Sequence, residues 1–326
     1  MRSGNWRARL LRSFVARRPA AAPAVSVIMP VFRTEDYLAD SLTSVLQQSF
    51  RDIEVIVVDD ASPGDAGAII ARVAGGDSRV RIVRHAKNQG ILATRLTGSK
   101  LATGAYLAFV DSDDLIEHRF IQIMLEAAIR YDADLVQCGM TVAEADGRIW
   151  HLNRGGSAHQ SHGGSVLAEF LAGKMSNSVA NKLTRTSCWH AATAHLARTE
   201  HRFCFGEDML CLFLVAARSR RYAHVPDAAY RYIRRAGSAT MADSDTAIIR
   251  QMEGLSLIYA EISRHMETFR VPEDLKSGFV SREFVSVMQE IIQPSGSGPG
   301  TNLTALPDWP HRFGMLGALV AASVRE

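Results

Sequence analysis

The sequence predicts an α/β domain built on a mostly parallel sheet with helices on both of its faces. Short β-branched runs alternate with segments of helical apolar spacing from residue 25 to about residue 142. Such alternation builds strand–helix–strand units, whose helices cover both faces of one sheet. Acidic clusters also follow two of the apolar runs directly, and ligands of such sheets bind beyond the carboxyl ends of the strands.

The first two strand–helix units are clearly bounded. We predict the first strand at 25–32, VSVIMPVF, because a β-branched run of this length suits a buried strand. Thr34 then caps a helix over 35–48, where apolar residues recur at helical spacing. The second strand is 53–60, IEVIVVDD, and the turn residues SPGD open a second helix over 62–74.

Three further strands and two helices complete the regular part of the chain. The strands are predicted at 79–85, 105–110 and 133–142, each a short apolar or β-branched run. The helices are predicted at 90–103, with Gly104 near the end as a C-cap, and at 118–132.

The pattern weakens after residue 142. Residues 145–150 predict a hairpin turn leading into a strand, and the Gly/Ser/His-rich stretch 153–165 predicts a mobile loop. Helical spacing returns from about residue 241, which predicts a helical C-terminal region. A low-complexity break at 293–310 interrupts it, and the apolar stretch 311–326 is expected to dock on the core or on a membrane.

Charge is unevenly placed along the chain. The formal net charge is +3, yet residues 1–24 contain six arginines and no acid, so the remainder is slightly acidic. A near-neutral body does not indicate a nucleic-acid binder. Two interpretations of the basic arm stay open: a disordered tail, or an amphipathic helix lying on an anionic membrane. No stretch reaches the roughly 18 apolar residues of a membrane span.

The four cysteines, Cys138, Cys188, Cys204 and Cys211, form no C-x-x-C pair. We predict reduced, mostly buried thiols rather than a zinc site. This predicts a cytoplasmic location, either free or peripheral at the inner face of the cytoplasmic membrane.

Three carboxylates follow the strand at 105–110 within four positions. Asp111, Asp113 and Asp114 repel one another, so their clustering indicates a bound cation. Oxygen ligands one residue apart on a turn suit Mn²⁺ or Mg²⁺, which keep coordination positions open for phosphates. The alternative is an exposed turn in which Asp113 or Asp114 caps the helix that begins near residue 117.

Several motifs in combination strongly resemble the inverting family-2 glycosyltransferases, which have a GT-A fold. They are PVF after strand one, VDDAS after strand two, NQG…R…G, and DSDD; downstream, NKLTRTS, FGEDMLCLFLVA and YRYIRRAGSAT match as well. The resemblance covers roughly residues 25–240. It implies a nucleotide-sugar half at 25–142, an acceptor half at 143–240, an arm at 1–24 and a helical region at 241–326.

The resemblance also implies the donor site. Asp113 matches the main metal ligand, and Asp111 matches a ribose or second metal ligand. Asp59 and Asp60 match the acidic pair that binds base and ribose, with Asp60 facing the uracil N–H. Arg95 matches an arginine that approaches the base or the diphosphate. The remaining implied donor residues are Pro30, Val31 and Phe32 around the base, Asn88 and Gly90 in a loop, and Ser112. Leu96 departs from the family pattern, where many relatives carry Asn.

The implied catalytic base is Asp208, supported by Glu207. Inversion needs a carboxylate that accepts the acceptor hydroxyl proton, and the start of a helix favours the charged form. Local chemistry alone leaves an alternative, in which the two acids merely cap the helix. Further cations for the leaving diphosphate are expected among Lys182, Arg185, Arg234 and Arg235, against surface solvation as the alternative for each.

The expected function is transfer of a sugar from a nucleoside-diphosphate sugar, with uridine as the expected nucleoside. The expected acceptor is a glycan or lipid-linked hydroxyl in bacterial cell-surface polysaccharide synthesis, and the expected cofactor is Mn²⁺ or Mg²⁺. A nucleotidyltransferase of the same fold is an alternative, but PVFRTEDYL after strand one lacks the glycines of a triphosphate loop. A non-catalytic nucleotide-binding module is a second alternative, which predicts a G-x-G-x-x-G that the chain lacks.

Overall fold

The computed structural model describes residues 5–19, 22–144, 146–152, 157–198, 203, 205–235, 245–288, 313, 316 and 317. Among these residues the helices are α1 Asn5–Ala16, α2 Glu35–Leu46, α3 Ala66–Ala74, α4 Ile91–Leu101, α5 Phe120–Arg130, α6 Gly164–Leu171, α7 Thr186–Thr193, α8 Glu207–Arg218, α9 Asp245–Thr268 and α10 Glu273–Val280. A 3₁₀ turn follows α7 at Leu196–Arg198, and a π-helical turn follows α10 at Ser281–Val285. The strands are β1 Val25–Val31, β2 Ile53–Asp59, β3 Val80–Arg84, β4 Tyr106–Phe109, β5 Leu115–Ile116, β6 Leu135–Ala143, β7 Ile149–Leu152, β8 His159–His162, β9 Lys182–Arg185 and β10 Arg221–Ile233.

The strands form one sheet in the order β3-β2-β1-β4-β9-β6-β10-β5, with β7 on β6 and β8 on β10. Strands β1 to β4 are mutually parallel where they pair, as the strand–helix alternation predicts. The second half is mixed, because β9 runs antiparallel to both β4 and β6 while β10 runs parallel to β6. The predicted α/β class and its parallel first half are confirmed.

Two apolar layers cover the two faces of the sheet. Successive side chains of a strand point to opposite faces, so Ile28 joins one cluster while Val27 and Met29 join the other. The cluster containing Ile28 takes its helical residues from α4 and from α6 to α10. The opposite cluster takes them from α1, α2, α3 and α5. The predicted placement of helices on both faces is therefore confirmed.

Helix α4, which carries Arg95, lies unusually close to the sheet. A Cβ atom at Gly98 would lie 2.4 Å from Cγ2 of Ile28 in β1, so only glycine fits there without a shift. Gly104 makes a similar approach, with a Cβ position 2.6 Å from the Ser26 nitrogen. It is not the predicted C-cap, because α4 ends at Leu101 and Ala102 follows in an extended conformation.

Gly98→Ala is expected to destabilise the fold by about 1–3 kcal/mol, because overpacking forces Ile28 or the helix to move. Gly278→Ala in α10 is the matched control, since nothing lies within 4 Å of its Cβ position. It should gain about 0.5–1 kcal/mol from helix propensity. Chemical denaturation measures both, and equal stability of the two variants would contradict the close approach of α4.

Residues 5–16 of the N-terminal arm form a helix docked on the body of the domain. In α1, Leu11 is buried and the Phe14 ring lies 6.2 Å from that of Tyr106. Arg18 binds Asp52 at 3.0 Å just after the helix. The disordered interpretation is therefore wrong for residues 5–16. None of the helices in the described part of the chain has the length and apolar character needed to cross a bilayer.

The helical C-terminal region is confirmed over 245–288. Phe313 and Leu316 are buried in the cluster that contains α9, so this part of the apolar stretch contacts the core. The predicted break at 293–310 lies outside the described residues. Cys138, Cys188 and Cys211 are buried and unpaired, as predicted, while Cys204 lies outside the description.

Two local predictions are wrong. Residues 159–162, predicted as part of a mobile loop, form β8 and pair with β10, and α6 begins at Gly164. The pairing partner is distant in sequence, so local composition does not show it. Thr34 makes no side-chain cap on α2, because its hydroxyl bonds to that of Ser112 at 2.7 Å. Residues 153–156 lie outside the described residues.

Candidate active site

The parallel strands bring the predicted donor residues to one edge of the sheet. Val31 pairs in register with Asp59, and Ile28 pairs with Phe109, two residues before Asp111. The ends of β1, β2 and β4 therefore lie side by side, as predicted. Phe32, directly after β1, is 38% exposed, and the Arg33 guanidinium lies over its ring at 5.2 Å from the centroid.

Asp60 organises the loop that precedes α4. Its Oδ1 accepts hydrogen bonds from the Gln89 N–H at 2.8 Å and pairs with Nδ1 of His85 at 2.7 Å, and its Oδ2 accepts from the Gly90 N–H at 2.8 Å. Gly90 has φ of 92°, which favours glycine. The carboxylate thus holds the loop around Asn88 and Gly90, while a direct contact with a base stays a prediction.

Asp59 is also fixed by its neighbours. Its Oδ1 accepts the Ser62 N–H at 2.8 Å, and its Oδ2 is ion-paired with Arg84. The side chain is almost fully buried, whereas that of Arg84 is 54% exposed. Asp59 is therefore held inside the edge of the sheet, and its role as a ribose ligand stays a prediction.

The acidic loop after β4 divides into inward and outward carboxylates. Asp114 points inward, where it accepts hydrogen bonds from the Tyr230 hydroxyl at 2.7 Å and the Ile233 N–H at 2.9 Å. Burial, together with the nearby Asp111 and Asp113 carboxylates, raises the pKa of Asp114 well above its ordinary value. Asp114 thus anchors the loop on β10.

The helix-capping alternative for this loop is wrong. Strand β5 follows Asp114 directly, and α5 begins only at Phe120. Tyr230 also accepts a hydrogen bond from the Asp111 N–H at 3.2 Å, so one tyrosine hydroxyl positions two residues of the loop. Tyr230 was not predicted as a site residue. Its place at the start of the YRYI motif is the feature of the sequence that could have indicated it.

Asp111 and Asp113 point outward and are partly exposed. Their side chains are 29% and 21% exposed. Asp113 is bound by Arg235, whose Nε donates to it at 2.9 Å, and the Arg235 guanidinium lies over the Tyr37 ring at 4.8 Å. Residues 236–244, which follow Arg235, lie outside the described residues.

Arg95 connects the two halves of the domain. It is only 3% exposed, and its Nη2 donates to Asp111 at 3.0 Å. Its Nη1 donates to Glu207 at 2.8 Å and also binds Asp208. The end of β4 and the start of α8 therefore meet at one guanidinium. Contact of Arg95 with the base or diphosphate stays a prediction.

Among the described residues, the ion pairs of this rim set four carboxyl groups against two guanidiniums. Asp111, Asp113, Glu207 and Asp208 face only the guanidiniums of Arg95 and Arg235 in these ion pairs. Burial, together with the Asp208 and Asp113 charges, raises the pKa of Asp111 although Arg95 opposes that shift. Two oxygen-donor carboxylates at a net negative rim fit a hard divalent cation.

Glu207 and Asp208 differ in access. Gly206, with φ of 82°, holds the cap position of α8, so both acids lie in the first turn. Burial raises the pKa of Glu207 to about 7, and the neighbouring Asp208 charge adds to the shift. The Asp208 side chain is 22% exposed against 10% for Glu207, and its Oδ2 accepts the Val179 N–H at 3.1 Å. Both carboxylates also bind Arg95, a contact that helix capping alone does not require.

Three of the predicted cations lie elsewhere. Lys182 is 1% exposed, and its Nζ donates to Ser176 Oγ at 2.7 Å and to Asn181 Oδ1 at 2.6 Å. Buried in this way it stabilises its own loop, so its prediction as a diphosphate ligand is not retained. Arg185 binds Asp132 and Asp134, and Arg234 binds Glu144.

A cavity of about 730 Å³ opens beside α4, on the side facing α7. Its lining includes Asn88, Leu92 and Leu96 from the loop and α4, and His190 and Thr193 from α7. Leu96, the departure from the family pattern, thus faces this cavity.

The family model described as "Glycosyl transferase family 2" matches residues 26–195, which is half of the chain. The chain belongs to glycosyl transferase family 2. The match begins in β1 and ends in the turn after α7, so it contains the edge of the sheet and its two acidic clusters.

Relatives in this family match over shorter segments. The uncharacterized glycosyltransferase EpsJ of Bacillus subtilis is 36% identical over 128 residues, which cover 39% of this chain and 37% of EpsJ. Glycosyltransferase GlyA of Streptococcus pneumoniae is 35% identical over 111 residues, covering 34% of this chain and 16% of GlyA. The aligned part thus spans well under half of each of these proteins.

The structure is similar to that of S. aureus TarS 1–349 in complex with UDP-GlcNAc. The TM-score is 0.61 at 21% identity, and the alignment covers 79% of this chain and 73% of the TarS chain. The complex of the same fragment with UDP gives a TM-score of 0.54 at 22% identity. This likeness concerns the fold, and it confirms the predicted GT-A fold.

Proposed function

We propose that this family-2 protein is an inverting glycosyltransferase that moves a sugar from a UDP-sugar to an acceptor hydroxyl with the help of Mn²⁺ or Mg²⁺. The observation that carries the proposal is the cluster at Arg95, where Asp111 meets Glu207 and Asp208. Asp111, the proposed cation ligand, thus shares one guanidinium with two candidate bases. Crystal structures of TarS with UDP-GlcNAc and UDP support a uridine donor.

The cation would be held by Asp111 and Asp113. Both carboxylates are partly exposed at the end of β4, and the rim around them carries excess negative charge. Bound there, the ion would neutralise the charge of the diphosphate leaving group. Nε and Nη2 of Arg235 both bind Oδ2 of Asp113, so the ion would bind the other carboxylate oxygen or displace the guanidinium.

Asp208 is the proposed base because its carboxylate is the more accessible of the pair. Arg95 holds it in place, and the Val179 N–H fixes its second oxygen. An acceptor hydroxyl that hydrogen-bonds to Asp208 would lose its proton to it as its oxygen attacks the anomeric carbon. Glu207, with a pKa near 7, is the rival base.

We propose a glycan or lipid-linked acceptor in bacterial polysaccharide synthesis, with a cytoplasmic or peripheral membrane location. Support comes from the family resemblance and from α1, whose apolar side packs on the body while Arg9, Arg12 and Arg17 are exposed. These arginines would attract an anionic membrane surface by charge rather than by insertion.

A panel of nucleotide sugars with Mn²⁺ tests the function. A glycosyltransferase releases nucleoside diphosphate, whereas a nucleotidyltransferase would exchange pyrophosphate and a binding module would release neither. Release of UDP that requires both the metal and an acceptor supports the proposal. Pyrophosphate exchange, or the absence of any turnover across a panel of glycan acceptors, would contradict it.

Asp60→Ala is expected to weaken UDP binding by about 1–3 kcal/mol, because it leaves the Gln89 and Gly90 N–H groups without their acceptor. Calorimetric titration with UDP and Mn²⁺ measures this. Asp65→Ala is the control, since that side chain is exposed before α3. Asp60→Asn keeps one acceptor oxygen in place of two, so it should lose less binding than Asp60→Ala. Unchanged binding by Asp60→Ala would exclude Asp60 from donor binding.

Arg235→Gln is expected to tighten Mn²⁺ binding by the donor-free protein about 2–5-fold, because partly exposed ion pairs are worth up to about 1 kcal/mol. Turnover should fall if the freed guanidinium also assists the diphosphate. Arg234→Gln is the matched control, since Arg234 precedes Arg235 directly and its guanidinium binds Glu144 instead of Asp113. Electron paramagnetic resonance measures the concentration of free Mn²⁺ and so gives the affinity of each variant. Equal Mn²⁺ affinities for Arg235→Gln and Arg234→Gln would contradict the proposal that Arg235 competes with the ion for Asp113.

A further inference from the structure

A second group of metal-ligating side chains lies between α9 and the turn after α7. His195 stands between α7 and the 3₁₀ turn, while Glu261 and His265 lie one turn apart on α9. The Nε2 atoms of the two histidines are 3.3 Å apart. Oε1 of Glu261 lies 3.3 Å from Nε2 of His265 and 3.7 Å from Nε2 of His195. Three ligand atoms from two separate elements therefore converge on one point.

These separations match one face of a tetrahedral metal site. Zinc bonds to histidine nitrogen and carboxylate oxygen are about 2.0–2.2 Å long, so adjacent ligand atoms lie about 3.3–3.6 Å apart. Side chains that merely pack on one another have no reason to direct three lone pairs at one point. The His195 side chain is 37% exposed, which leaves a fourth position open to water.

Hydrogen bonding alone satisfies this group poorly. A hydrogen bond between the two histidines needs one protonated and one bare Nε2, and the bare nitrogen then faces the Glu261 carboxylate. If both rings carry their proton on Nε2, the two N–H groups face each other across 3.3 Å. Full protonation of both rings would place two cations beside Arg264 and Arg218.

Neighbouring groups fix the ligands in place. Arg264 binds Oε2 of Glu261, which leaves Oε1 to face the two histidines. The His265 ring stacks on Phe269, with centroids 5.8 Å apart and planes at 18°. Such supporting contacts orient the first ligands of protein metal sites.

We propose that His195, Glu261 and His265 bind a Zn²⁺-class divalent ion, separate from the Mn²⁺ or Mg²⁺ of the rim. Nitrogen ligands select a borderline transition metal over the hard cations that carboxylates prefer. Ala194 and Leu196, on either side of His195, line the cavity beside α4. The ion would therefore link α9 to this wall of the cavity. Its role is to fix the C-terminal helical region against that cavity wall.

The test uses the full-length protein stripped with chelator and then titrated with Zn²⁺ in the presence of excess Mg²⁺. Calorimetry should show one tight equivalent, and the melting temperature should rise as it binds. Co²⁺ in place of Zn²⁺ should give the visible absorption bands of nitrogen-ligated cobalt. Absence of a tight equivalent, or an unchanged melting temperature, would overturn the site without any variant.

Variants separate this site from the rim. His195→Gln and His265→Gln should lower Zn²⁺ affinity at least about 100-fold, since loss of outer supporting groups alone costs 10–100-fold. Two control variants should still bind one tight equivalent of Zn²⁺: His162→Gln, which changes an exposed histidine on β8, and Asp113→Asn, which changes the rim. Loss of binding in Asp113→Asn but not in the two histidine variants would overturn the proposal. Mg²⁺ alone should restore turnover to the chelator-stripped protein. Failure of the proposed transferase activity can therefore be told apart from failure of the Zn²⁺ proposal.

Discussion

Asp208→Asn is expected to keep UDP and metal binding while turnover falls by about 10²–10⁴-fold, the usual cost of losing a general base. Asparagine is nearly isosteric and its oxygen can still accept from Arg95, so α8 should stay in place. The amide cannot take a proton from the acceptor hydroxyl at neutral pH. Calorimetric titration with UDP and Mn²⁺ should therefore match the wild type while the UDP-release rate does not.

Glu207→Gln is the matched control for that prediction. It changes the carboxylate that binds the same Arg95 guanidinium without touching Asp208, and because the pKa of Glu207 is about 7 the change removes a full negative charge only above that pH. If Asp208 is the base, Glu207→Gln retains far more turnover than Asp208→Asn. The reverse ranking would make Glu207 the base. Near-normal turnover in both variants would exclude the inverting mechanism proposed for this pair, although the fold would stand.

The first half of the fold could be predicted because its signals are local. Strands β1 to β4 and helices α2 to α5 each have a complete apolar pattern of their own, and parallel strands joined by helices leave few topologies. The second half could not, because β5, β8 and β9 are short and exist through partners far away in the chain. His159–His162 forms a strand only because β10 lies beside it.

The site was predictable in its residue types but not in its connections. Asp111 and Asp113 follow a buried strand, which places them at the edge of the sheet from sequence alone. The convergence of Arg95 on Glu207 and Asp208 joins positions more than 100 residues apart, and no spacing rule contains it. Lys182 illustrates the reverse case. The sequence suggested a cation available to the diphosphate, whereas in the structure its Nζ is enclosed by its own loop.

Asp113→Ala is expected to abolish transfer, with turnover at least about 10³-fold lower, because a catalytic metal contributes several kcal/mol to the transition state. UDP binding should lose its dependence on Mn²⁺. The Asp113 side chain is 21% exposed at the end of a strand, so its removal opens no core cavity and the melting temperature should change little. Equilibrium titration and turnover are both measured with and without Mn²⁺.

Asp146→Ala is the control for Asp113→Ala, since it also removes a carboxylate paired with an arginine, Arg148, but in an exposed turn between β6 and β7. It should leave turnover and Mn²⁺ dependence unchanged. Loss of Asp113 also frees Arg235, and the double variant with Arg235→Gln removes that cation. Transfer should stay absent in the double variant if the missing ion is the cause, whereas recovery of turnover would show that an unpaired Arg235 blocks the site. Wild-type affinity for UDP and Mn²⁺ in Asp113→Ala would place the cation elsewhere on the rim.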